Sequence, residues 1–135
     1  MAFITWNDSY SVNVAEIDEQ HKQLINLANR MYDAMRAGKG KEALGPVLSE
    51  LLNYTAYHFS AEESLLERYS YPDLEEHHQL HELATEKVRE LRAELDSGNT
   101  SLAIEVMMFL SNWLNVHILE VDRKYGAFLN EIGVR

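Results

Sequence analysis

Apolar positions along the chain fall into four stretches with helical spacing, separated by short polar breaks. The first holds Leu24, Ile25, Leu27, Ala28, Met31 and Met35. Asp18 stands before it as the expected N-cap, and Gly38-Lys39-Gly40 ends it, so a helix is predicted over roughly 18–37. The second runs from Val47 and Leu48 through Leu51, Leu52, Phe59, Leu65 and Leu66, predicting a helix over roughly 41–67 that Tyr69-Ser70-Tyr71-Pro72 breaks. Asp73 is placed to cap the third, roughly 73–95, with Leu74, Leu80, Leu83, Val88, Leu91 and Leu95. Asp96-Ser97-Gly98-Asn99 is a turn signal, and Asn99 or Thr100 is the expected cap of a fourth helix over roughly 100–131. Residues 1–17 lack a helical period and read as an extended arm anchored by Phe3, Trp6 and Tyr10. Four long helices with short connections predict an all-α protein. The expected form is an up-down-up-down antiparallel four-helix bundle with an extended N-terminal arm, one domain over residues 1–135.

Composition narrows the chemistry. The chain has 135 residues, 46% of them apolar, enough for one real core. Cysteine is absent, which excludes disulfides, thiolate ligands and thiol nucleophiles. A redox centre must therefore use His, Asp, Glu or Tyr. The formal charge of −10 argues against nucleic acid and against anionic membrane surfaces. No apolar run is long enough to span a bilayer. No basic region precedes an apolar run at the start, so the chain is expected in the cytoplasm.

The six histidines carry the most information. Any one alone is best read as a surface or hydrogen-bonded core residue. Their spacing changes that reading. His77 and His81 are four apart, one helical turn, and form a metal clamp; His58 and Glu62 share that separation. In an antiparallel bundle, His21 and His77 lie early in helices one and three, level with His58 and His117 late in helices two and four. All can meet in one layer. Asp122 follows His117 by five residues, which turns its side chain roughly 140° away in a regular helix. A single-turn π-bulge between them would bring both inward.

Imidazoles and carboxylates without thiolates suit Zn, Fe, Mn, Cu or Ni. His21, His58, Glu62, His77, His81, His117 and Asp122 exceed what one tetrahedral zinc needs and fit two ions bridged by carboxylates. Two octahedral ions offer about twelve positions; five imidazoles, two bridging carboxylates and one shared oxygen fill all but one. One ion is then saturated and the other open, which suits a small diatomic ligand. A histidine-rich set carries little negative charge and favours a reduced pair and reversible binding over oxidative catalysis. Leu24 and Ile25 near His21, Phe59 near His58, and Trp113, Leu114, Ile118 and Val121 near His117 are expected to wall the pocket.

These motifs together resemble the hemerythrin family, in its single-domain bacterial form, over almost the whole chain. The resemblance rests on Trp6…Val14…Ile17-Asp18-Glu19-Gln20-His21-Lys22, on His58-Phe59-Ser60-Ala61-Glu62-Glu63, on Tyr71-Pro72 with His77-x-x-x-His81, and on Trp113-Leu114-x-x-His117-Ile118-x-x-x-Asp122. It implies a non-haem pair of irons bridged by an oxo or hydroxo group, Glu62 and Asp122. His77, His81 and His117 would hold the six-coordinate iron, and His21 and His58 the one with the vacancy. The implied function is reversible dioxygen binding for storage, transport or delivery, in a carrier rather than an enzyme, with an oxygen-consuming enzyme as the partner such a carrier serves. The alternative keeps the site and makes it a di-iron enzyme or sensor acting on O2, NO or peroxide. A ferritin-like di-iron carboxylate plan fits less well: Glu75-x-x-His78 matches one of its motifs and no second is present. His78 and Glu63 are spare beside the ligand set, His78 turned toward solvent.

Overall fold

The computed structural model describes residues 4–135. Its helices are α1 (Ala15–Arg36), α2 (Gly40–Arg68), α3 (Leu74–Asp96) and α4 (Ala103–Asn112). The last continues through a π-helical segment (Trp113–Asp122) into α5 (Arg123–Glu131), so α4, the π segment and α5 form one rod. The four rods make the antiparallel bundle, α1 packing on α2 and α4 and α2 on α3. No strand occurs among the described residues, and none of their helices is long and apolar enough to cross a membrane.

The apolar stripes point inward as their period requires. Leu24, Met31, Leu44, Leu48, Leu51, Leu110 and Leu114 are fully buried, each stabilising by about 1.5–3 kcal/mol relative to exposure. Where the chain turns between helices, α1 ends at Gly38, whose φ of 73° is the left-handed conformation a glycine adopts freely. The Lys39 N–H then returns to the Ala34 carbonyl at 2.7 Å. Ser70 takes the same role after α2 at φ 56°, with the Tyr71 N–H bonded to the Leu66 carbonyl at 2.9 Å.

Asp73 stands at the N-cap of α3 but makes no side-chain cap bond, and the other two expected caps have other roles. α1 starts three residues before Asp18, with Val14 at its N-cap and no side-chain cap bond. The Asp18 carboxylate instead reaches back to the arm, accepting from the Val12 N–H (2.9 Å) and the Ser11 hydroxyl (2.5 Å). α4 starts after Leu102; Asn99 accepts from the Ser101 N–H in the preceding turn (3.1 Å), and neither it nor Thr100 caps the helix.

The arm is tied along its length. Asn29 of α1 exchanges two hydrogen bonds with the Ile4 backbone (2.9 and 2.8 Å), Lys22 lies over the Trp6 ring, and Tyr10 is buried. Phe3, the third expected anchor, lies outside the described residues. Val12 and Val14 pack into a second apolar cluster with Ile17, Leu66, Tyr71, Tyr125 and Leu129. Gly126 permits this contact, because a Cβ there would lie 2.7 Å from the Val12 carbonyl oxygen. The arm thus holds down the element that carries Tyr125.

The fourth rod departs from α geometry where expected, but over ten residues rather than one turn. The wider turn, bonded i to i+5, makes an offset of five close to one full turn and puts His117 and Asp122 on one face.

Candidate metal centre

Seven side chains from the four rods converge in the half of the bundle where α1 and α3 begin and α2 ends. α1 supplies His21, α2 His58 and Glu62, α3 His77 and His81, and the π segment His117 and Asp122. All seven are buried, at most 5% exposed. Their donor atoms form two groups that share Glu62: His77, His81 and His117 on one side, His21 and His58 on the other.

The carboxylates are split between the groups. Glu62 Oε1 faces His77 at close contact and His81 Nε2 at 3.1 Å, while Oε2 faces His58 Nε2 at 3.1 Å and His21 Nε2 at 3.6 Å. Asp122 Oδ1 faces His117 Nε2 at 2.9 Å and His77 Nε2 at 3.3 Å, while Oδ2 faces His21 Nε2 at 3.2 Å. Each carboxylate therefore presents one oxygen to the three-histidine group and one to the two-histidine group.

Charge in so buried a place needs neutralising partners. Burial pushes Glu62 toward protonation, but His58, His21 and His77 hold it well below the usual carboxylate range. Asp122 is pushed up by burial and by Glu62, yet His117 and His21 leave it lowered. Burial opposes charge on His21, and Asp122 and Glu62 overcome this, raising it to about 9. His117 goes the other way, its burial outweighing Asp122. Two carboxylates held in the ionised form thus face five imidazoles in a buried core.

Hydrogen bonds alone do not satisfy this cluster. Among the described residues, both Asp122 oxygens and the Nε2 atoms of His21, His81 and His117 are buried without a hydrogen bond of acceptable geometry. Buried nitrogen and oxygen atoms that converge without satisfying one another are what a cation can satisfy, and this donor set fits a pair of first-row transition-metal ions.

Residues next to the cluster set ring orientations. The His58 Nδ1–H donates to Gln20 Oε1 at 2.6 Å, and the His81 Nδ1–H donates to Glu63 Oε2 at 2.9 Å. Each bond leaves an Nε2 lone pair facing inward. The Tyr125 hydroxyl, fully buried, donates to Glu62 Oε2 at 3.0 Å, and burial, then the charges of Glu62 and Asp122, raise its pKa well above the tyrosine norm. The spacing argument missed all three partners. Gln20 had one signal, a long amide beside His21 on a face otherwise filled by apolar residues. Glu63 does not face the donor cluster, as expected, but it is not spare. His78 is half exposed and contacts the other Glu63 oxygen.

Of the expected pocket walls, Leu24, Ile25, Phe59, Trp113, Leu114 and Ile118 are buried in the main apolar cluster, whereas Val121 is half-buried and lies outside it. The rings among them favour one side. Phe59 lies flat on His81 (3.9 Å, 6° between planes), closer than its tilted contact with His58 at 5.7 Å. Trp113 stacks on His117 (3.7 Å, 14°). Both therefore back the three-histidine group.

Fold and site together define a four-helix bundle built around a buried cluster of histidines and carboxylates able to hold cations. The model of the hemerythrin HHE cation-binding domain matches residues 12–129. A bacteriohemerythrin of Pseudomonas aeruginosa is 35% identical over 125 residues, covering 93% of this chain and 80% of that protein. One from Methylococcus capsulatus is 29% identical over 131 residues, covering 96% and 99%. The crystal structure of a wild-type hemerythrin superposes with a TM-score of 0.84 at 28% identity, covering 93% of this chain and 97% of its own. The chain belongs to the hemerythrin family.

Proposed function

We propose that the protein binds dioxygen reversibly at a non-haem pair of irons, serving oxygen storage, transport or delivery to an oxygen-consuming enzyme. In this reading His77, His81 and His117 would hold one iron, His21 and His58 would hold the other, and Glu62 and Asp122 would each offer one oxygen to either side. The observation that carries it is the split of both carboxylates across a three-histidine and a two-histidine group. When bound, such an iron pair would supply the electrons for reversible dioxygen binding.

The chain's own residues do the rest. Asp122 and Glu62 bring two negative charges that offset part of the metal charge, so the core is not left with a large unbalanced field. Gln20 and Glu63 hold His58 and His81 with their lone pairs inward. Tyr125 restrains Glu62, which a bridging carboxylate needs if both oxygens are to stay aimed at different sides. Phe59 and Trp113 shield the three-histidine side, and Leu24, Ile25, Leu114 and Ile118 add aliphatic bulk that excludes water. A dry surround suits carriage, because access of water and protons would favour oxidation of the metal centre.

The test is an iron assay combined with visible spectra of the reduced protein before air, in air, and after deoxygenation. The proposal expects about two irons per chain and an absorption that appears with oxygen and disappears on its removal. Steady consumption of oxygen or nitric oxide with product release makes the protein an enzyme instead and overturns carriage.

A further inference from the structure

We propose that Glu63 is a positioning residue for this centre, fixing the orientation of His81 and making the three-histidine side its more strongly electron-donating half. The inference rests on His81 being a metal ligand, as proposed above.

The first part follows from ring geometry. His81 is stacked on Phe59 at 3.9 Å with planes 6° apart. Stacking fixes the plane of an imidazole but does not distinguish its two flipped orientations, since both present the same flat face. A flip exchanges nitrogen for carbon at both ring positions and would turn a C–H toward Glu62. The contact that tells the orientations apart is the Nδ1–H bond to Glu63 Oε2 at 2.9 Å, which leaves Nε2 3.1 Å from Glu62 Oε1. Glu63 is itself held at its other oxygen by His78, so the carboxylate that orients His81 is anchored from the surface inward.

The second part follows from comparing the partners. His81 leans on a carboxylate, His58 on the neutral amide of Gln20, and His21 Nδ1 is buried without a partner. An imidazole whose N–H donates to an anion is a better electron donor than one donating to an amide, and such outer partners shift metal affinity and potential. The carboxylate stands on the side with more histidines. Glu63 therefore deepens the asymmetry between the two halves and lowers the potential of the centre relative to a neutral partner.

Three measurements on the full chain test this. First, Glu63→Gln keeps an accepting oxygen but removes the charge: it should retain the parent's metal-to-chain ratio and show a higher reduction potential. Second, Glu63→Leu removes the acceptor too and should weaken metal binding about 10–100-fold in chelator competition. Third, histidine ring nitrogen NMR of the zinc-loaded parent should place the His81 proton on Nδ1 in a strong hydrogen bond. An unchanged or lowered potential in metal-replete Glu63→Gln overturns the proposal. So does a His81 proton on Nε2 or a free Nδ1–H in the parent, whether or not the variants fold. A parent that binds no metal overturns the metal reading as well. A parent with its full metal complement and an unmoved potential in Glu63→Gln overturns this inference alone.

Discussion

Replacing Tyr125 by Phe isolates one buried bond between the apolar frame and the centre. The Tyr125 hydroxyl donates to Glu62 Oε2 at 3.0 Å, and both residues are 0% exposed. Phenylalanine keeps the ring, and with it the edge contacts to His77 (5.3 Å) and Tyr71 (6.3 Å), so the change is confined to one oxygen. A hydrogen bond to a charged acceptor contributes about 1.5–3 kcal/mol, and the acceptor left behind is fully buried. For a domain of this size the same loss is a fall of about 5–12 °C in Tm. The assay is urea unfolding followed by far-UV circular dichroism, on metal-free and metal-loaded protein. The loss should appear in both, since no metal replaces the hydroxyl. A cycle with Glu62→Gln should show coupling between the two positions. A Tyr125→Phe variant within about 0.5 kcal/mol of the parent in both states refutes the reasoning.

Other consequences follow. His77→Ala or His81→Ala should fall well below the parent's iron content and lose the stabilisation that metal gives by linking separate helices; retention of two irons by either variant means the ligand set is wrong. Gly126→Ala should destabilise by about 1–3 kcal/mol in chemical denaturation, because its Cβ would meet the Val12 carbonyl at 2.7 Å, and an unchanged midpoint means the arm is not tightly seated. Burial, then the charges of Tyr57 and Glu19, push the Tyr54 hydroxyl up to about 12 from a norm of 10.0. A folded value above the unfolded one gives stability that is full below the unfolded pKa and is lost as pH rises toward the folded pKa. The parent should therefore lose stability between pH 10 and about 12, and Tyr54→Phe should flatten that loss in pH-dependent unfolding; equal slopes sink the assignment.

The convergence of the clustered side chains was legible because residues one helical turn apart share a face. His77 with His81, and His58 with Glu62, stand one turn apart on regular helices, and the structure brings their side chains together. The offset of five between His117 and Asp122 was legible as a departure from α geometry, though its length was not, since a π segment of ten residues depends on tertiary packing around Trp113 and His117. What spacing could not reveal were contacts between helices. Glu63 meets His81 from a neighbouring rod, and Tyr125 meets Glu62 across 63 positions. Phe59 follows His58 in sequence yet lies on His81, because successive helical residues diverge by about 100°. Asp18 shows a different limit. Its type and place suited a cap, but an arm folding back offered its carboxylate two donors upstream, and the helix began at Ala15.

Oxygen uptake by the reduced, iron-loaded chain tests the central claim most directly. Titration with dioxygen in a sealed cell should saturate at about one molecule per chain, one for each iron pair, and the gas should be recovered on evacuation. Uptake that never saturates, gas that is not returned, or no uptake by a chain carrying two irons contradicts reversible binding at a single open position.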